Sequence, residues 1–170
     1  NLVEHILQCI FNSLNKAIPT AKIVSKVGST DFLSKTIHYK GKDVCLNTIQ
    51  VDRHIWSNGK RLCFIENKIY LDSCYYDRAL SDFRKIAQSL YQQGRDPAEY
   101  KYIIFAGQNA AKNDTKHLTK NSNGLETKTI FFLKGKRCPK KPLYKIKHEL
   151  DKNSLKQFIS YLLEILRDCK

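Results

Sequence analysis

Three side chains have the types and the spacing for hydrolytic chemistry: Asp52, Glu66 and Lys68. Glu66 and Lys68 stand two residues apart in the run Arg61-Leu62-Cys63-Phe64-Ile65-Glu66-Asn67-Lys68. In a strand they therefore project from one face. Asp52 belongs to the preceding β-branched run, and Asn58-Gly59 between the two runs is a hairpin signal. A carboxylate and an ammonium inside a strand that otherwise reads as core are costly unless the site is used. Two carboxylates at close range also raise one another's pKa unless a cation shares them. Hard oxygen donors with open positions suit Mg²⁺, with Mn²⁺ as a substitute, rather than zinc. A lysine beside such an ion can orient or polarise a water against a phosphodiester, which gives hydrolysis. The competing reading is an exposed hairpin with modest cross-strand ion pairs.

Register decides whether Asp52 joins the pair. A two-residue Asn58-Gly59 loop pairs Ser57 with Lys60 and leaves Asp52 opposite Ile65 and Asn67. A three-residue Asn58-Gly59-Lys60 loop pairs Ser57 with Arg61 and sets Asp52 across from Glu66, about 5 Å away at the Cβ atoms. The second register makes the chemically coherent face, and it is the one expected here. A slip of one residue would move every side chain to the other face.

The elements that must position this face follow from periodicity. Residues 2–17 carry Val3, Ile6, Leu7, Ile10, Phe11 and Leu14 on one helical stripe. Strands are expected near 22–27, 35–39, 44–56 and 61–70. A helix over 75–93 should turn Leu80, Phe83, Ile86, Ala87, Leu90 and Tyr91 inward and close at Gly94. Short strands follow at 102–106 and 129–133. A last helix, capped by Asn153 or Ser154, should bury Leu155, Phe158, Ile159, Leu162, Leu163 and Leu166. The fold class is α/β (α+β), a central mixed β-sheet flanked by helices, and the length fits one domain over 1–170. The chain contains no methionine, so it also reads as a piece of a longer chain with a further domain.

Asp52, Glu66-Asn67-Lys68 and this order of elements together resemble the PD-(D/E)XK nuclease superfamily, over roughly residues 1–133. Within it, the chain looks like a type II restriction endonuclease. The resemblance implies the αβββαβ core of that superfamily. It makes Asp52 and Glu66 metal ligands and Lys68 the residue that activates water or contacts phosphate; the Asn67 carbonyl is a further candidate ligand. Some members also place a glutamate of the first helix near the metal, which makes Glu4 an additional candidate. The commoner role for Glu4 is a carboxylate favoured by the helix N-terminus. The proline that often precedes the family's aspartate is replaced here by Val51.

Thirty Lys and Arg against sixteen Asp and Glu give a net charge of +14, and 42% hydrophobic residues describe a globular chain rather than a charged tail. Such a balance favours a polyanionic partner, nucleic acid before an anionic membrane surface. No stretch is apolar for long enough to span a bilayer. Six cysteines without a Cys-x-x-Cys pair give no zinc spacing and suggest free thiols in a reducing, cytoplasmic setting. Cys63, on the face opposite Glu66, reads as a small core residue.

Two segments concentrate the polar and basic residues. Residues 134–147 hold seven Lys or Arg with Pro139 and Pro142, an extended segment in which Lys134, Lys136, Arg137, Lys140 and Lys141 could track phosphates. Residues 107–128 read as a long polar loop, with Gln108, Asn109, Lys112, Lys116 and Lys120 as candidate DNA contacts. A solvated charged loop is the competing reading for the first segment, and a mobile loop without base readout for the second. On the second helix, Arg78 and Asp82 read as an ordinary surface pair, although Tyr75, Tyr76 and Arg78 would start beside the site. The leading expectation is an Mg²⁺-dependent endonuclease acting on double-stranded DNA as a homodimer, of the sequence-specific restriction type. A structure-selective repair or junction nuclease with the same core, and a basic nucleic-acid-binding module without catalysis, are the alternatives.

Overall fold

A computed structural model describes residues 2–27, 35–39, 41–46, 51–110, 125–137 and 149–167, and among these described residues are three α-helices and seven strands. In chain order they are α1 (Leu2–Ala17), β1 (Val24–Val27), β2 (Lys35–Tyr39), β3 (Lys42–Leu46), β4 (Arg53–Ser57) and β5 (Lys60–Leu71). After these come α2 (Ser73–Gln92), β6 (Lys101–Asn109), β7 (Glu126–Phe131) and α3 (Lys152–Arg167). Five strands form one mixed sheet in the order β1-β4-β5-β6-β7, and among the described residues β2 and β3 form a separate two-stranded sheet. The β1–β4 and β4–β5 pairs are antiparallel, and β5–β6 and β6–β7 are parallel. A parallel pair needs a crossover, and α2 supplies it between β5 and β6.

Alternation along β5 divides the core into two layers. Cys63 and Ile65 join Ile103, Phe105, Ile130 and Phe132 under α1 and α3, whereas Phe64 joins Tyr102, Ile104 and Ala106 under α2. On the first side Phe105 stacks on Phe132 with centroids 4.8 Å apart and packs on Phe158 of α3 at 4.9 Å. The expected stripes are largely observed: Val3, Leu7, Phe11 and Leu14 are buried on α1, and Phe83, Ile86, Ala87 and Leu90 on α2. Tyr91 corrects the reading of α2, since it is 71% exposed at the edge of that stripe. On α3 the deepest line runs through Phe158, Tyr161, Leu162 and Ile165, with Leu155, Ile159, Leu163 and Leu166 beside it.

Helix ends follow local chemistry. Asp72 caps α2 by accepting from Tyr75 N–H at 2.8 Å, which starts the helix two residues before the expected boundary. Gly94, at φ +68°, closes it in the left-handed conformation as expected. The cap of α3 is Asp151 rather than Asn153 or Ser154, because its carboxylate accepts from both of their N–H groups at 3.0 and 3.1 Å. The single strand expected over 44–56 is two strands in different sheets, β3 and β4, with Val51 and Asp52 leading into the second. Among the described residues, no helix is long and apolar enough to cross a membrane.

Candidate active site

Asn58 (φ +49°) and Gly59 (φ +78°) both take the left-handed conformation, so the hairpin closes by a two-residue turn with Ser57 paired to Lys60. The three-residue loop of the sequence reading is therefore incorrect. Trp56 pairs with Arg61, but Ile55 then pairs with Cys63, which leaves Leu62 as one extra residue on β5. This bulge supplies the shift that the longer loop would have supplied. Past it, His54 pairs with Phe64 and Arg53 with Ile65, so the next step sets Asp52 across from Glu66. Asp52 lies in the bend before β4, where its Oδ2 accepts from Asn67 N–H at 2.6 Å. The expected juxtaposition is present, reached through a different irregularity.

Glu66 is 5% exposed. Its Oε1 accepts from Lys68 Nζ, and its Oε2 is buried without a hydrogen-bond partner. Burial pushes the Glu66 pKa up. Lys68 opposes that shift by hydrogen bond and charge, while the negative charges of Asp52 and Asp82 add to it. The same three carboxylates act on Tyr102 of β6, whose phenol is pushed well up, first by burial and then by Glu66, Asp82 and Asp52. Negative charge thus converges on one patch from the bend, from β5 and from α2.

Asp82 reads from the sequence as the surface partner of Arg78 and not as a site residue. In the structure it pairs with Lys85, at 3.7 Å. Its position between the inward residues Ala79, Phe83 and Ile86 was the available signal, since it places Asp82 at the border of the buried stripe. Replacing Asp82 with asparagine removes one like charge, so Glu66 should ionise at lower pH than in the parent. A ¹³C-detected titration of the Glu66 carboxyl would show this, and an unmoved or raised midpoint would contradict the arrangement.

Lys68 is half-buried and reaches from Glu66 toward the first turn of α2, where the Tyr75 ring lies 5.8 Å from its Nζ. Tyr75 meets Tyr70 edge-on at 5.4 Å, and the guanidinium of Arg137 lies 3.4 Å over Tyr70. Glu66, Lys68 and Tyr70 alternate along β5, so these groups line one face from the buried carboxylate to the basic segment. Arg137 is held there by its backbone, whose N–H donates to Asn109 O at 3.0 Å.

The other expected contacts divide. Gln108 is not in a loop: β6 continues to Asn109, and Gln108 is buried with its Nε2 donating to Lys134 O at 2.8 Å. Its side chain therefore holds the basic segment rather than facing a ligand. Asn109 is half-buried at the strand end and bridges to Lys136. Lys134 and Lys136 are exposed, Lys134 being paired with Glu149 at 2.5 Å. Lys112, Lys116, Lys120, Lys140 and Lys141 lie outside the described residues. Glu4 sits elsewhere: Arg53 Nη2 donates to its carbonyl at 3.5 Å, and Arg53 shares the α1-facing side of the sheet with Ile65, opposite the face of Glu66.

Among the described residues, no three His, Cys, Asp or Glu side chains converge closely enough to hold a metal by themselves. The donor set is two carboxylates, one with a buried, unpartnered oxygen, and this fits a hard cation that keeps several waters rather than one caged by protein. No protein-family model matches the chain, and no curated protein matches it significantly.

Proposed function

We propose that this protein is a metal-dependent nuclease, built on a restriction-endonuclease-like core, that hydrolyses phosphodiester bonds of double-stranded DNA. One observation carries the reading: buried Glu66 shares one oxygen with Lys68, leaves the other unpartnered, and lies across the hairpin from Asp52. A protein that only bound a polyanion would gain nothing from this. Two carboxylates facing one another in a chain of net charge +14 repel phosphate unless a cation stands between them.

Asp52 and Glu66 are the residues that would hold Mg²⁺ or Mn²⁺, with the Asn67 carbonyl as a further donor. When bound, the ion supplies charge stabilisation at the phosphoryl oxygens and makes water more acidic. Lys68 holds its ammonium at the edge of the carboxylates, where it can orient the attacking water or contact a phosphate oxygen. Water adds at phosphorus as the P–O3′ bond breaks, and the 3′-oxygen takes up a proton. The Lys68–Tyr75–Tyr70–Arg137 row offers the strand a cationic and aromatic track leading away from the reacting phosphate. Cutting both strands calls for two such sites, hence a homodimer.

The test is digestion of supercoiled and phage DNA with Mg²⁺ by the parent, Asp52→Asn and Lys68→Ala. Discrete fragments from the parent, lost in both variants while DNA affinity persists, are expected for a sequence-specific enzyme. Cutting confined to branched substrates would instead make it a structure-selective nuclease. Cutting that survives both substitutions would place the active site elsewhere. Salt-sensitive binding without any cutting would leave a binding module.

A further inference from the structure

The solvent face of α1 carries a second pair of ligand-type side chains. Val3, Leu7, Phe11 and Leu14 anchor this helix in the core. His5 and Cys9 are both exposed and lie about 200° round the helix from Val3 and Leu7. Being four residues apart, they stand one above the other on a single face. Cys9 Sγ lies 3.7 Å from His5 Nε2. A tetrahedral ion about 2.05 Å from nitrogen and about 2.3 Å from sulfur holds its two donors about 3.6 Å apart, so the pair already stands at metal-ligand spacing. Donors at i and i+4 are also the arrangement by which paired histidines hold zinc on a helix.

Imidazole nitrogen with thiolate sulfur selects borderline ions such as Zn²⁺ and Co²⁺, not the Mg²⁺ that suits Asp52 and Glu66. In a chain of net charge +14 a cation is repelled unless the local surface lacks Lys and Arg. The exposed neighbours on this face, Leu2, Gln8, Asn12 and Ser13, carry no charge, and Lys16 comes two turns beyond Cys9. Glu4 in the first turn offsets the positive end of the helix. The neighbouring polar groups are engaged within the helix. Gln8 Nε2 donates to Asn12 Oδ1 at 2.9 Å, and Ser13 Oγ donates to Cys9 O at 2.8 Å. A thiol is a weak hydrogen-bond donor, so the contact between Cys9 and His5 is worth little until a metal ion replaces the thiol proton.

We infer that His5 Nε2 and Cys9 Sγ form a bidentate site for a zinc-class divalent ion on α1. On binding, the thiol gives its proton to solvent, the thiolate and the neutral imidazole each make one bond to the ion, and water fills the remaining positions. The helix already holds both donors, so no segment has to fold to make the site. It also stands apart from the candidate active site. The α1 helix covers the sheet layer of Cys63 and Ile65, whereas Glu66 shares the α2 side with Phe64. The inference therefore holds whether or not the protein cuts DNA.

The experiment titrates the intact protein with Co²⁺ while a phosphine keeps the thiols reduced. A near-ultraviolet charge-transfer band from thiolate to Co²⁺ reports sulfur ligation directly, and ions held by carboxylates alone do not produce it. The parent should develop this band, lose it when Zn²⁺ displaces Co²⁺, and keep it in a large excess of Mg²⁺. Cys9→Ser should abolish the band. His5→Ala should weaken Co²⁺ binding at least about tenfold, since loss even of an outer partner of a ligand costs that much. Both substitutions are at exposed positions and should leave the circular dichroism spectrum unchanged. Cys74→Ser, at another exposed thiol, should titrate like the parent. A band that survives Cys9→Ser, equal Co²⁺ affinity in the parent and His5→Ala, displacement by Mg²⁺, or no band at millimolar Co²⁺ would each overturn the assignment.

Discussion

Replacing Glu66 with glutamine is expected to lower Mg²⁺-dependent DNA cleavage at least about 10³-fold, while the protein stays folded and binds DNA in EDTA at least as well as the parent. The size follows from what is lost: an ionic donor at the reacting centre, where removal of one preorganised hydrogen-bond donor alone costs 10²–10³. Retained binding follows from charge, since glutamine takes away a buried negative group that would face phosphate in the proposed reaction. Stability supplies a readout that needs no substrate. The folded pKa of Glu66 lies above the ordinary glutamate value of 4.5, with burial as the main cause. The stability contributed by its protonated form is fully present below that ordinary value and is lost as pH rises through the raised folded pKa. In EDTA the variant should therefore gain on the parent as pH rises from the acid side toward neutral. Adding millimolar Mg²⁺ should raise the parent's Tm, by mass action on the folded state, and leave the variant's unmoved. If both proteins respond alike to Mg²⁺, the ion is not held by Glu66.

Gly107→Ala, at a position that touches no substrate in the proposed reaction, should be the most damaging small substitution in the sheet. A Cβ at this glycine would lie 2.2 Å from the backbone oxygen of Ile69 and 3.3 Å from Leu133 Cδ1. The oxygen belongs to β5 and has no rotamer to change, so the two central strands would have to part. The register brackets the contact, with Lys68 paired to Ala106 just before it and Tyr70 to Gln108 just after. Overpacking against backbone costs about 2–3 kcal/mol, which for a chain of this size is a fall in Tm of roughly 5–10 °C. Because Lys68 and Tyr70 ride on the displaced segment, cleavage should fall as well. Thermal unfolding by circular dichroism decides it, and an unchanged Tm would mean that the strands part there without cost.

The chain's own pattern made the central sheet and the opposed Asp52 and Glu66 legible, for physical reasons that also explain the misses. Helical stripes such as Val3, Leu7, Phe11 and Leu14 survive folding because they are buried as a unit. The Glu-x-Lys spacing needs only strand alternation to become a shared face. The turn is not legible because a coherent face needs one extra residue but does not say where, and Leu62 carries it inside the strand rather than in the loop. Gln108 is not legible because a polar side chain at a strand end looks like loop until its partner, the Lys134 carbonyl 26 residues away, is known. Asp82 has a local explanation in Arg78 four residues earlier, and its approach to Glu66 depends on how α2 lies on the sheet, which no short window contains.

The bulge at Leu62 carries a rule of parity. Between the turn and the bulge, β5 and β4 run in one phase; beyond it they run in the other, and Asp52 meets Glu66 only in the second. One residue inserted or deleted on a single arm of the hairpin, between Ser57 and Cys63, would invert that phase. It would exchange the two core layers along the rest of β5 and carry Glu66 to the side of α1. Removing Leu62 alone should have this effect, whereas removing it while lengthening the turn by one residue should restore the original phase. Length variation at this tip is thus constrained to even steps or compensated pairs, and the candidate chemistry sits behind a counting lock rather than behind any single contact.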